Sequence, residues 1–283
     1  MANDTNSTSG YAPFDLYAYN PAQVPAYAYL GLFGAVGIAH FIAMIPYRAF
    51  FAIPLIIGCG MEAAAYYFRS RSHNDVRKTL PFLLQNLLIL ASPPFLAASL
   101  YMSPRRIGRA INCEDQVASP RLLTKIFVVV DLTCFATQVA GAILSGSDDV
   151  GQARQGRTVI LVGLVIQIIA FGFFALWTGV FHTRARKSDS VREKMKGIKW
   201  QRPLFGLYAI GLLFVIRNIT RIIEYKQGPG GEMQSSEVYL YVLDASVMLA
   251  IVVIFLVLHP GRLRMKARRL RRQGSSDDHI PLK

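Results

Sequence analysis

Arg217, Arg221 and Glu224 stand four and three residues apart at the end of an apolar run that begins near Pro203. On a helix they share one face. Two guanidiniums and a carboxylate inside an apolar run are costly: a charge deep in a bilayer costs about 3 kcal/mol or more even on the lenient insertion scale. That face must look into protein or a watery cavity, and acids on other segments must meet it. Such acids exist. Glu62, Tyr66 and Arg69 recur at i, i+4, i+7 in one apolar run, and Glu237, Tyr241 and Asp244 do so in another. Asp131 and Gln138 lie seven apart in a third, and Gln167 sits in the middle of a fourth. Each set follows one helix face.

These residue types suit the handling of a charged or amphipathic small molecule. Glu62, Asp131, Glu224 and Asp244 can pair with an amine, or one of them can exchange a proton. Arg217 and Arg221 can hold those acids ionised or take a phosphate headgroup. Tyr66 and Tyr241 can orient polar groups beside an apolar wall, with Gln138 and Gln167 as neutral hydrogen-bonding partners. The competing reading is purely structural, in which buried arginine–carboxylate pairs hold helices together.

Other chemistry is not indicated. The sequence has no G-x-x-x-x-G-K-[ST] loop, no H-E-x-x-H and no G-x-S-x-G. Gly228-Pro-Gly-Gly231 reads as a turn. His40, His182 and His259 fall at different depths, so no metal site is expected. No span carries a central lysine suited to a retinal Schiff base. Cys59 and Cys134 lie in apolar runs and Cys113 in a loop, without pairing or metal spacing. The expectation is a protein with no catalytic residues, metal or cofactor.

The elements that position these residues follow from composition. Of 283 residues, 53% are hydrophobic and only 17% charged. Apolar runs recur with short polar gaps, none long enough for a soluble domain. The fold expected is all-α, a polytopic membrane protein built as a seven-transmembrane-helix bundle. The spans are read at Tyr27–Ile45, Phe50–Phe68, Phe82–Tyr101, Leu122–Leu144, Thr158–His182, Pro203–Glu224 and Val238–Leu258. Residues 1–26 form a polar N-terminal segment, 27–258 the membrane domain and 259–283 a basic tail. The first two spans are joined tightly at Pro46–Ala49, as an antiparallel hairpin. Pro54 and the Pro93-Pro94 pair lie within spans, where kinks are expected with neighbouring groups taking up the freed carbonyls. His259-Pro-Gly261 is read as the end of the seventh span.

Charge supplies an orientation. The net charge is +14. With the N-terminus outside, the inner segments hold 21 basic residues and the outer segments 7, which favours an outside N-terminus and a cytosolic C-terminus. The basic residues concentrate in loops and tail, so they read as topology signals and not as a nucleic-acid surface. Residues 69–78 run against the bias. Seven of the eleven residues from Arg262 to Arg272 are basic and are expected to meet anionic inner-leaflet lipids. Residues 1–26 lack a basic region followed by an apolar stretch, so a cleaved signal is not expected. Asn3 and Asn6 head two glycosylation sequons, usable on an outer segment.

In this orientation the polar residues are skewed toward the outer side, where they would line a cavity open to the exterior or the outer leaflet. Arg69, Glu224 and Glu237 lie near helix ends, where side chains can reach headgroups instead.

A group of motifs resembles one family. Glu62-x-x-x-Tyr66-x-x-Arg69, Ser92-Pro93-Pro94 with Tyr101, Asp131 with Gln138 and Gly163-Leu-x-x-Gln167 are part of it. The rest are Arg217-x-x-x-Arg221-x-x-Glu224-Tyr225 before a glycine-rich loop, Glu237 with Tyr241 and Asp244, and His259-Pro-Gly261. Together, over about residues 11–262, they resemble the fungal lipid-translocating exporters, the seven-span RTA-like proteins named for 7-aminocholesterol resistance. Ala64-Ala65 departs from the pattern, where a glycine before the tyrosine is expected. The resemblance implies a multi-pass protein, most naturally of the plasma membrane, that moves sphingoid long-chain bases, phospholipids or sterol-like toxins and contributes to lipid asymmetry or toxin resistance. The alternative it leaves open is a seven-span receptor acting through a cytosolic signalling partner.

Overall fold

The computed structural model describes residues 11–265 except 13–14, 18, 48, 112–119, 146–148, 196–198, 229–230, 260 and 264; the side chains of residues 120, 121, 190, 192 and 194 are also outside the description. Asn3, Asn6, Cys113 and residues 266–283, with most of the Arg262–Arg272 cluster, therefore lie outside the described residues.

The described chain is helical. It runs α1 (Gln23–Tyr47), a 3-10 turn (Phe50–Ala52), α2 (Ile53–Ser72), α3 (Thr79–Ala110), α4 (Pro120–Ser145), α5 (Val150–Lys187) and the short α6 (Asp189–Lys194). It continues through α7 (Arg202–Gln227), the single turns α8 (Glu232–Ser235) and α9 (Glu237–Tyr239), a π-helical segment (Leu240–Ala245) and α10 (Ser246–Val257). Seven helices are long and apolar enough to cross a membrane, the last being the composite Glu237–Leu263. All seven spans read from the sequence are found, most of them longer than the apolar stretch alone because polar ends continue the helix beyond the hydrocarbon.

Local chemistry explains the ends. Pro54 occupies the first turn of α2, where a missing N–H is harmless, so it starts that helix and does not kink it as the sequence suggested. Asp149 caps α5 by accepting from the Gly151 amide at 2.8 Å. α7 stops at Gly228, whose φ of +70° is the left-handed geometry that glycine adopts freely.

The helices form a closed ring. α1 packs on α2, α2 on α3, α3 on α4, α4 on α5, α5 on α7 and α7 on α10, which returns to α1; α3 also reaches α7 across the middle. α4 and α5 come close at Gly141 and Gly156: a Cβ on Gly156 would lie 2.5 Å from the Gly141 carbonyl oxygen. Large apolar side chains such as Ile42, Leu132, Ile169, Phe173, Leu212 and Val253 face outward, while Glu62, Arg69, Asp131, Arg217 and Asp244 are buried. Apolar outside and charged inside is the arrangement a lipid solvent demands.

Candidate functional site

The centre of the site joins α7 to the seventh span. Arg217 Nε lies 2.7 Å from Asp244 Oδ1, and Arg221 Nη2 donates to Asp244 Oδ2 at 2.7 Å. Arg221 Nη1 also donates to Glu224 Oε2 at 3.0 Å. One aspartate is thus ion-paired with two guanidiniums one helical turn apart and accepts a hydrogen bond from that of Arg221.

Asp244 lies in the π-helical segment, as does Tyr241. The sequence reading placed Glu237, Tyr241 and Asp244 on one α-helical face. The wider winding changes their registration, yet Tyr241 and Asp244 both remain buried. π segments recur at functional sites because the extra residue leaves a turn loosely bonded.

Arg217 has a further partner on α3. Its Nη2 donates to the Ile89 carbonyl oxygen at 3.2 Å. In a regular helix that carbonyl would accept from residue 93, but Pro93 has no N–H. The Pro93-Pro94 pair lies inside the unbroken α3, and a guanidinium from another span occupies the carbonyl it frees.

Glu62, Tyr66 and Arg69 all face inward from α2, as their spacing implied. Glu62 is fully buried, accepts from the Ser92 hydroxyl through Oε1 and keeps Oε2 without a partner. It lies in electrostatic range of Asp244, Arg217 and Arg221. The Tyr66 hydroxyl is likewise buried and unpartnered. Its ring stacks with Phe33 (5.9 Å between centroids) and Tyr241 (6.0 Å), with Tyr29 beside it.

Arg69 is 1% exposed, so it does not reach for headgroups as its position near a helix end suggested. Glu237 Oε1 holds its Nη2 at 2.7 Å, and the Tyr241 hydroxyl accepts from Nε at 3.1 Å. Glu237 in turn accepts from the Ala22 amide at 3.1 Å. Internal partners for both Nε and Nη2 reduce any gain from extending toward water.

The segment before α1, read as a polar N-terminal segment, packs over this end of the ring through its described residues. The Tyr19 hydroxyl accepts from Arg69 Nη2 at 3.0 Å, and the rings of Tyr17, Tyr19 and Tyr241 lie within 6 Å of the guanidinium carbon. Tyr17 also bonds Gln85 Oε1 on α3 (2.8 Å). His73 Nδ1 meets the Pro21 carbonyl at 2.7 Å, and Arg77 pairs with Asp15 at the surface. Tyrosine density at Tyr11, Tyr17 and Tyr19 is the one sequence signal for this packing.

Asp131, Gln138 and Gln167 stand apart from this centre. Asp131 Oδ2 accepts from the Tyr101 hydroxyl at 2.8 Å, while Oδ1 has no partner. Gln138 Nε2 donates to Gln167 Oε1 at 3.1 Å, joining α4 to α5. A cavity of about 340 Å³ lies between α5 and α7, lined by apolar residues with Tyr208 and two glycines, away from the charges. Cys59 and Cys134 are free and buried. Among the described residues no group of three or more histidine, cysteine or acidic side chains is placed to hold a metal.

Comparison with known proteins places the chain in a family. Residues 55–267 match the family described as RTA1 like protein. The chain is 30% identical to Protein RTA1 of Saccharomyces cerevisiae over 274 residues, covering 87% of this chain and 85% of that protein. It is 34% identical over 206 residues to Protoporphyrin uptake protein 1 of the same yeast, covering 72% and 67%. It is 22% identical over 267 residues to the Sphingoid long-chain base transporter RSB1 of Saccharomyces cerevisiae, covering 81% and 69%. No solved structure shows significant similarity. The matched stretch takes in the helices from α2 to α10 and every charged residue of the site, and the chain belongs to the RTA1-like protein family.

Proposed function

We propose that the protein moves amphipathic, lipid-like molecules across a fungal membrane, with the plasma membrane as its place of action. Glu62, Tyr66, Arg217, Arg221, Glu224, Tyr241 and Asp244 form the polar side of the path, and Asp131, Gln138 and Gln167 line its α4–α5 flank. The observation that carries this reading is the pair of unpartnered polar groups, Glu62 Oε2 and Tyr66 hydroxyl, buried beside a two-arginine aspartate cluster. A structural clamp has no use for a buried acid oxygen and a phenol left without partners, because each costs free energy unless something occupies it. A relative named as a transporter of sphingoid long-chain bases supports the same class of cargo.

The orientation that fits this role has the N-terminus outside and the basic tail on the cytosolic side, against anionic lipid. The membrane domain is the working unit, flanked by the N-terminal segment and that tail. Asn3 and Asn6 would then be open to glycosylation. With no nucleotide-binding motif in the sequence, movement is passive, ion-coupled or dependent on a partner protein.

The test is reconstitution of the full chain into vesicles carrying a labelled long-chain base or a labelled phospholipid. Wild type is expected to move at least one of them across the bilayer, with Arg217→Ala and Asp244→Asn each removing most of that movement. Folded wild-type protein that moves neither lipid would sink this reading in favour of a receptor.

A further inference from the structure

Among the described residues, charge counting within the bundle leaves two buried acids without a basic partner, Asp131 and Glu62, and of these Glu62 lies at the arginine cluster. Three arginines, Arg69, Arg217 and Arg221, are paired with three carboxylates, Glu237, Asp244 and Glu224. These pairs balance. Glu62 is an additional acid, fully buried, whose only hydrogen-bonding partner among the described residues is the Ser92 hydroxyl. An ionised carboxylate there would be an uncompensated charge in a low-dielectric interior, and such groups neutralise instead.

Every neighbour bears this out. Arg217 and Arg221 approach from α7 but are already committed to Asp244. Asp244 itself faces Glu62 from the seventh span and repels a second negative charge. From α2, Cys59 and Tyr66 face it. From α1, the Tyr29 ring packs on Tyr66, and its hydroxyl is taken by Ser246 and the Tyr241 carbonyl. Among the described residues, the cations that act on Glu62 are the two arginines already paired with Asp244.

We propose that Glu62 is a proton-exchange site, holding a proton in the closed bundle and surrendering it when the ammonium head of a cargo binds the same carboxyl. This rests on the reading of the protein as a translocator of amphipaths. The exchange balances: the Glu62 O–H bond breaks, the proton leaves to water on the side then open, and the cargo's ammonium becomes the counter-ion. The site is electrically neutral with proton or with cation, and charged with neither. Closure of the bundle is therefore favoured in the two loaded states and opposed in the empty one. Carriage of a cation one way is thereby tied to carriage of a proton the other way.

The test uses full-length protein in lipid nanodiscs. Infrared spectra should show the carbonyl stretch of protonated carboxylic acids at neutral pH, with one component lost in Glu62→Gln. Asp131→Asn should remove a separate component, since Asp131 is the second acid without a basic partner. Adding dodecylammonium chloride, adjusted to the assay pH, should diminish the Glu62 component and release a proton for each ammonium bound at that site, read with a dye in weak buffer; dodecanol should release none. Glu62→Asp should retain proton release. If Glu62→Gln fails to fold, Ser92→Ala serves instead: removal of the hydroxyl donor should make the carboxylate harder to form and move the loss of the band to higher pH. Absence of the band in wild type, or amine binding without proton release, would overturn the proposal. Proton release on amine binding without lipid movement in vesicles would overturn only the translocator reading. Lipid movement with no band would leave that reading standing and end this one.

Discussion

Arg217 on α7 donates to the Ile89 carbonyl on α3 at 3.2 Å, and Ile89 is the residue whose helical bond Pro93 cannot make. The proline and the arginine are therefore complementary. One opens a carbonyl inside the bundle, and the other satisfies it while reaching Asp244. This contact ties α3 to the charge cluster on α7 and the seventh span.

Pro93→Ala should separate the two effects. The new amide would compete for the Ile89 carbonyl, returning a helical bond of about 1 kcal/mol and removing a charged one of about 1.5–3 kcal/mol. Relief of the proline's own helix penalty, about 3 kcal/mol, offsets that difference, so thermal stability is expected to hold or rise while lipid movement in vesicles falls. Unchanged transport would mean that Arg217 does not depend on α3.

Asp244 carries two guanidiniums, so its removal should cost more than removal of either. Asp244→Ala is expected to lower stability by about 3–5 kcal/mol, the usual result of leaving buried charge unpaired. Arg217→Met in the Asp244→Ala background should recover part of that loss. The check is a double-mutant cycle on detergent-solubilised protein, in which a coupling of order 1–3 kcal/mol is expected. Additive effects would show that the 2.7 Å pair contributes nothing of its own.

The segment over the ring's N-terminal end gives a pH-dependent prediction. Burial pushes the Tyr17 hydroxyl above its ordinary value of 10.0, outweighing the opposing Ser72 contact. The docked state therefore binds the phenolic proton more tightly than the undocked state. Docking is fully supported below pH 10.0 and weakens as pH rises through the raised value. A spin label on Ala12 should become mobile over that range in wild type. In Tyr17→Phe the phenolic step should be missing and mobility already higher at neutral pH, because the Gln85 contact is lost.

Much of this arrangement could be read from the residues. Length and apolarity located seven spans, and the i, i+4, i+7 spacing put Glu62, Tyr66 and Arg69 on one buried face. Pairing was not legible, because spacing within a helix says nothing of which helix stands opposite: Asp244 went to two arginines, Glu237 to Arg69, and Glu62 to a serine. The winding at Leu240–Ala245 was hidden too, since α and π turns differ by one residue and both can bury Tyr241 and Asp244. Residues 11–22 have no helical or strand period, so their hold on Arg69 and Gln85 rests on tertiary contacts alone.

Gly141 and Gly156 set the distance between α4 and α5. A Cβ on Gly141 would fall 2.7 Å from the Gly156 carbonyl oxygen, against backbone that has little room to move. Gly156→Ala should cost about 1–3 kcal/mol by overpacking, despite alanine's better helix propensity. Gly172→Ala, on the same helix with open space around it, should be neutral or slightly stabilising. Thermal melts of the two variants decide the point, and equal midpoints would show that the helices separate freely.

Tyr101 and Asp131 offer a test of buried-polar energetics outside the arginine cluster. The Tyr101 hydroxyl is the one partner Asp131 has among the described residues, at 2.8 Å, within rings from Phe127, Phe171 and Phe174. Tyr101→Phe keeps the ring stack and strips the acid of that bond, so a loss of about 1–3 kcal/mol is expected. Asp131→Leu in the same background removes the stranded acid and should restore most of the stability, because apolar replacement of both partners is close to neutral. If the pair were only structural, the double variant should also move lipid at wild-type rates. Restored stability with transport still impaired would instead place Asp131 on the path that cargo or protons follow.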